Sequence, residues 1–230
     1  ALDIDGTLNI FPSGELAMGT YNADVATGNN INIDGTLSIT TGTFTTNGST
    51  SDIDGTLTIN GAGIYDADGT FDATGGNVTF TGAGTLQLGG TVTSLGTFAG
   101  PSSTLLFSGS SAQTINASSV DAGNLIVNNA SGVTLNADVT VNETLTLTSG
   151  DITSTSTNKL SLKSSVSGGS SSSHISGPVD FIADATNECT IPVGNGTDYT
   201  PIKLQRNGGS ATTYTACLLY TSDAADDTCC

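Results

Sequence analysis

Paired aspartates that precede a glycine are the residues with the clearest potential for chemistry. The pattern Asp-x-Asp-Gly occurs three times, and Asp72 follows the third copy; the pairs are Asp3/Asp5, Asp52/Asp54 and Asp66/Asp68. Carboxylates two positions apart beside a turn glycine resemble the start of a calcium-binding loop. Such a loop ends in a glutamate at its twelfth position, but that position counted from Asp66 is Asn77. We therefore expect these acids to form turns and a solvated surface, with a calcium site at Asp66, Asp68 and Asp72 as the alternative.

Groups suited to nucleophilic catalysis are sparse. The single histidine, His174, lies in the segment SGGSSSSHISG with no Asp or Glu within five residues. That setting favours an exposed loop position, and no G-x-S-x-G nucleophile motif supports a catalytic triad. Cys189 has no second histidine to activate it and is expected to be a small strand residue. These residues do not predict an enzyme.

The charge balance is strongly acidic. Four basic residues oppose 21 acidic ones, for a net charge of −17, and residues 1–158 contain 14 acids and no Lys or Arg. Nucleic acid and anionic membrane surfaces need clustered cations, so neither is an expected partner. No apolar stretch approaches the roughly 20 residues of a membrane helix, so membrane insertion is not expected either. Enzymes that cleave acidic sugars on β-solenoids also use Arg or Lys, which this region lacks. The charge favours solubility as its main role.

An internal repeat organises the first third of the chain. The segment IDGTLxI occurs at residues 4–10, 33–39 and 53–59, so the last two copies are 20 residues apart and the first two 29. Asp-Gly predicts a turn, because Gly accepts positive φ and Asp bonds its own backbone. Repetition at this period is typical of solenoids. We expect the three copies to occupy equivalent positions, with Leu8, Leu37 and Leu57 buried on one side.

Strict alternation of apolar and polar residues follows each turn signal. In the first repeat Ile4, Leu8 and Ile10 share one parity, while Asp5, Thr7 and Asn9 share the other. Successive strand side chains point to opposite faces, so one parity is buried and the other is solvated. No apolar pattern of helical period has useful length. The sequence therefore predicts short strands and essentially no helix.

An antiparallel sandwich and a parallel β-solenoid both accommodate short one-sided strands. Sandwiches rarely reuse a near-identical segment at a coil-sized spacing, whereas each solenoid coil presents the same environment to the next. We predict an all-β parallel β-solenoid over residues 1–177, followed by the start of a truncated β-rich module over 178–216. Roughly eight coils would form a rod about 40 Å long, and open strand edges at both ends would favour end-to-end association unless charge opposes it.

Residues 109–216 resemble a known class of proteins. The blocks SGSSAQTIN, NLIVNNASGVTLNADVTVNETLTLTSGDI, SVSGGSSSSHISGPV and TIPVGNGTDYTPIKL occur in this order. They are similar to Thr/Gly-rich segments of large secreted and surface proteins from Gram-negative bacteria that use type IX secretion. In that family a β-solenoid stalk leads into a short β-rich module marked by PVG and an aromatic-x-P step, here Pro192–Gly194 and Tyr199–Pro201. The resemblance implies secretion and a location at the cell exterior or surface, and supplies no catalytic residues.

The last fourteen residues have a different character. The string CLLYTSDAADDTCC, residues 217–230, holds three of the four cysteines and no repeat pattern. It resembles the translation of a transposase adapter used to prepare sequencing libraries, so we exclude it from functional reasoning. Without its three aspartates the formal net charge is −14. A cysteine-bearing tail that forms disulfides is the alternative.

These features favour a structural role. We expect a stalk or adhesin-like spacer of a secreted bacterial surface protein, with extracellular glycans, other surface proteins or missing parts of its own parent chain as partners and no cofactor other than the calcium alternative. One other class is a β-solenoid carbohydrate-active enzyme or glycan-binding module. A third is an ice- or mineral-binding surface built on T-x-T pairs; these are Thr56–Thr58, Thr79–Thr81, Thr91–Thr93 and Thr144–Thr146–Thr148. Their irregular spacing argues against one flat threonine ladder.

Overall fold

The computed structural model describes residues 1–183, 189–204 and 212–217. This part of the chain contains 29 strands and no helix. The strands are β1 (Leu2–Ile4), β2 (Leu8–Ile10), β3 (Glu15–Ala17), β4 (Ala23–Val25), β5 (Asn30–Ile33), β6 (Thr36–Ile39), β7 (Thr43–Thr45), β8 (Thr50–Ile53), β9 (Thr56–Ile59), β10 (Ile64–Ala67), β11 (Phe71–Asp72), β12 (Asn77–Phe80), β13 (Thr85–Leu88), β14 (Val92–Ser94), β15 (Thr97–Phe107), β16 (Gln113–Ile115), β17 (Val120–Asn128), β18 (Val133–Leu135), β19 (Val139–Ser149), β20 (Ile152–Thr153), β21 (Leu160–Leu162), β22 (Ser165–Gly168), β23 (Ile175–Ser176), β24 (Val179–Ala183), β25 (Cys189–Ile191), β26 (Gly194–Asn195), β27 (Asp198–Tyr199), β28 (Ile202–Leu204) and β29 (Thr212–Ala216).

These strands wind into a three-sided parallel solenoid. Face 1 begins with β1, β4 and β7, face 2 with β2, β5 and β8, and face 3 with β3, β6 and β9. In the three coils that contain β15, β17 and β19, a single long strand serves face 3 and then face 1, whereas β21 and β22 serve these two faces separately in the next coil. One coil takes between 19 and 23 residues, as the pairs Thr85↔Thr104 and Leu8↔Ile31 show. The predicted parallel β-solenoid is confirmed, with about nine turns and a length of about 40 Å.

The core is a narrow apolar column, as the alternation predicts. Leu37, Leu57 and Val78 occupy in-register positions on successive strands of face 3, and each is fully buried. Aromatic rings fill the column's width in the middle coils, where Phe44 and Tyr65 stack with ring centroids 5.3 Å apart and Phe71 meets Tyr65 edge-on. The buried Tyr65 hydroxyl lies 2.8 Å from Ser51 Oγ, so its polar end is satisfied.

The first copy of the repeat is not equivalent to the other two, contrary to prediction. Leu37 and Leu57 pair on face 3, but Leu8 pairs with Ile31 on face 2 and is only half-buried. The reason is the 29-residue spacing, which equals one coil plus about one side of the triangle. The motif therefore forms a corner and the strands beside it. Its first copy lies at the corner between faces 1 and 2, and the other two copies lie at the corner between faces 2 and 3.

The glycines of the Asp-Gly corners allow the backbones of successive coils to approach closely, and they do not adopt a positive φ. Neither Gly35 nor Gly55 has a positive φ. A Cβ on Gly55 would lie 2.1 Å from the carbonyl oxygen of Gly35, one coil below, and 2.5 Å from that of Asp34. Glycine is needed at this corner because the backbones of successive coils are in contact.

Parallel stacking continues through β24, which pairs with β21, so the stacked strands extend past residue 177, where the β-rich module is predicted to start. Beyond it, β29 pairs antiparallel with β24, and β25 with β28 and β26 with β27 form two short hairpins. These strands contact the last coil, where β25 meets β22 and β26 meets β23. Among the described residues, the strands of the last coil are therefore covered and do not have the open edges that were predicted for them.

Candidate functional site

The three predicted calcium ligands lie on different parts of the surface. Asp66 is on β10 of face 1, Asp68 follows that strand, and Asp72 is on β11 of face 2. Asp72 Oδ1 accepts hydrogen bonds from the backbone N and Oγ1 of Thr74, at 3.0 and 2.6 Å. This is the turn-forming role that the sequence favours for these acids.

Asp66 has a partly buried carboxyl group. Its Oδ1 is buried without a hydrogen-bond partner, and burial, followed by the charge of Asp68, raises the pKa of this carboxyl group. Gln87, the residue that faces it on β13, donates a hydrogen bond that partly offsets this shift. The environment therefore disfavours the charged form of Asp66.

A second acidic patch lies on face 2. Asp52 and Asp72 are register partners on β8 and β11. Burial raises the pKa of Asp52, and the charges of Asp54, Asp72 and Asp34 add to that shift. Across the three described ranges, however, no group of three or more His, Cys, Asp or Glu side chains is arranged to hold a metal ion.

Calcium is expected to leave the protein's melting temperature nearly unchanged. The carboxylates of the DxDG motifs do not come together around one point in the described residues, so millimolar Ca²⁺ has no set of oxygen ligands that would bind it tightly. Without tight binding to the folded state, Ca²⁺ does not stabilise the fold by mass action. The measurement is thermal unfolding with added Ca²⁺ or with chelator. A clear upward shift that the double change Asp66→Asn and Asp68→Asn abolishes would contradict this expectation.

The histidine occupies a position opposite to the one predicted. His174 is fully buried, not exposed in a loop. Its Nδ1 lies 3.1 Å from Oδ1 of Asp151, and its backbone N donates a 3.0 Å hydrogen bond to the same oxygen. Asp151 is 23 positions earlier in the chain, within the range of one coil, so the solenoid brings together two residues that appear unrelated in the sequence. Spacing along the chain gives no signal for this pair, because the two residues come together only through the stacking of coils.

A histidine in contact with an aspartate provides two of the three members of a catalytic triad. The third member, a nucleophile, is not in contact with His174 among the described residues. His174 Nε2 is buried and has no hydrogen-bond partner among the described residues. The ring instead faces the C-terminal hairpin, where a Cβ on Gly194 would lie 2.5 Å from Cδ2 of His174, and its centroid is 6.5 Å from that of Tyr199. His174 therefore packs between the last coils and the hairpin that covers them.

The remaining candidates are dispersed. Cys189 is the first residue of β25 and is half-buried, in agreement with the strand position predicted for it, and burial raises the pKa of its thiol. The T-x-T residues lie on β9, β12, β14 and β19 and their flanks. Thr58 pairs with Thr79, which leaves Thr56 beside Asn77, so the pairs on β9 and β12 are offset and do not form one ladder. The predicted tail beyond residue 217 lies outside the described residues.

The fold defines this protein as a parallel β-solenoid. The chain matches no protein-family model, no curated protein and no solved structure. No helix in the described part is long and apolar enough to cross a membrane.

Proposed function

We propose that this chain is a spacer: a stalk or adhesin-like segment of a secreted bacterial surface protein that holds other modules away from the cell. The observation that carries the proposal is the continuity of the apolar column, which runs from Ile10 in the first coil to Ile175 in the last. In such a solenoid, length is added one coil at a time at constant cross-section, and each coil contacts only its neighbours. Extension is the property that this architecture provides most directly.

The surface composition supports the same role. Outward-facing positions carry Thr, Ser, Asn and Asp, as at Thr56, Thr58 and Asn77. The net charge, −14 without residues 217–230, opposes adhesion of a strand-rich rod to copies of itself along its sides. The resemblance of residues 109–216 to type IX-secreted surface proteins supports an extracellular location. Partners of such a spacer would be extracellular glycans, other surface proteins and other parts of its own parent chain.

Display on a cell surface tests this role. The chain is placed between an outer-membrane anchor and an epitope tag, and antibody access to the tag is measured as whole coils are inserted. Access is expected to rise with each added copy of residues 43–63, because each copy moves the tag outward by about 4.8 Å. A scrambled insert of equal length and composition is the control. Equal gains from the scrambled insert, or access that does not change with coil number, would contradict a spacer role.

A further inference from the structure

The corner between faces 2 and 3 changes length abruptly in the last coils. It takes the six residues 154–159 in the coil that contains β20 and β21, but only Gly177 and Pro178 in the next coil. A Cβ on Gly177 would lie 2.2 Å from the carbonyl oxygen of Ser154, so the short corner packs directly on the base of the long one. The long corner therefore projects beyond its neighbour and leaves a recess of about 310 Å³ beside it.

The solenoid register places the side chains that line this recess. The lining residues are Ser156, Lys159, Pro178, Asp180 and Thr215. The register partners Leu160 and Val179 are both fully buried. Because side chains alternate along a strand, Lys159 and Pro178, one position earlier, and Asp180, one position later, lie on the outward side of face 3.

The recess contains a cation that the protein does not neutralise. Lys159 is one of only four basic residues, and its backbone is fixed by a 2.9 Å hydrogen bond from its N to Oδ1 of Asp138. Among the described residues, the ammonium group of Lys159 forms no hydrogen bond or ion pair. By contrast, Nζ of Lys163 donates a 2.8 Å hydrogen bond to Oδ1 of Asn142. The Lys159 ammonium group is therefore able to pair with an anionic group of a ligand.

The other lining groups suit a ligand with hydroxyls and an apolar face. Oδ1 of Asp180 accepts a 2.6 Å hydrogen bond from Oγ1 of Thr215, which holds the carboxylate and leaves its second oxygen able to accept from a ligand. Ser156 supplies a hydroxyl that can donate or accept, and the half-buried Pro178 ring supplies apolar surface. A volume of 310 Å³ is at the lower end of the range for small-molecule sites, which suits a single sugar unit.

We propose that this recess binds a sugar unit that carries a carboxylate, a uronic acid of an extracellular glycan. The inference rests on the adhesin-like role proposed above, in which extracellular glycans are partners. Lys159 pairs with the sugar carboxylate, Asp180 accepts a hydrogen bond from a ring hydroxyl, and Pro178 packs against the C–H face of the ring. The cation selects acidic sugars over neutral ones, because only an acidic sugar compensates its charge.

Titration of the whole chain with glucuronate and with glucose tests the inference, because these sugars share one ring and differ in the carboxylate. Binding is followed by ligand-observed NMR. Glucuronate is expected to bind with a dissociation constant on the order of 1 mM, about fivefold tighter than glucose. Lys159→Gln should remove this preference, whereas Lys163→Gln, the matched control, should retain it. Asp180→Asn should weaken the binding of both sugars.

Three results would overturn the inference: no detectable binding of glucuronate, equal affinity for the two sugars, or a preference that survives Lys159→Gln. None of these measurements depends on the length of the rod. A failure here is therefore distinguishable from a failure of the spacer role, which antibody access to a displayed tag tests.

Discussion

Replacing Leu57 by aspartate is expected to unfold the coils around β9 while the distant coils remain folded. Leu57 is fully buried between Leu37 and Val78 in a column too narrow to admit water to a new carboxylate. An unpaired charge at this position costs about 4 kcal/mol or more. Because each coil contacts only its neighbours, the damage should spread over a few coils and not through the whole rod.

Hydrogen exchange measures this pattern directly. Leu57→Asp should remove protection from β6, β9 and β12 and leave β17 and β19 protected. The matched control is Thr58→Asp, which places the same charge on the outward side of the same strand and should cost less than about 1 kcal/mol. Loss of protection at β19 together with β9, or equal effects of the two changes, would contradict the stacked-coil account.

Replacing Gly55 by alanine should also be costly, by about 3 kcal/mol. The new Cβ would lie 2.1 Å from the Gly35 carbonyl oxygen, and the hydrogen bond that Gly55 N donates to Ile33 O at 2.6 Å prevents the corner from moving away. Overpacking against backbone cannot be relieved by a change of rotamer.

The chain supplies a matched control for this second change. Gly6 occupies the same place in the first IDGTL copy, yet a Cβ there would meet nothing within 4 Å. Gly6→Ala should therefore leave the denaturant midpoint nearly unchanged, while Gly55→Ala lowers it. Equal destabilisation by both substitutions would show that these glycines serve backbone conformation and not coil contact.

Local features of this fold can be predicted from the sequence, whereas features that depend on how coils stack are harder to predict. Alternation around Leu57 specifies strands and their buried side, because the period of two is a local property. The corner that a motif occupies depends on the number of residues between its copies. The first two copies are 29 residues apart, which is longer than one coil, and this spacing indicates that Leu8 lies on a different face, face 2.

Contacts between coils were less accessible to sequence reasoning. His174 meets Asp151 because the chain returns to the same face after one coil, and coil lengths vary from 19 to 23 residues. The calcium hypothesis depended on spacing within the chain, while the solenoid assigns Asp66 and Asp72 to different faces. The sequence predicts a β-rich module over residues 178–216, but it does not predict that strands of this module cover the last coil, because no repeat marks their partners.

The distance between two labels on either side of an inserted coil tests the central claim most directly. Spin labels at Thr27 and Ser131, both exposed, flank residues 43–63, and the native cysteines are replaced by serine. In-register insertion of three further copies of 43–63 is expected to increase the distance by about 14 Å, at about 4.8 Å per coil. A distance that does not change with the number of inserted copies would contradict the rod, and with it the spacer role proposed for this protein.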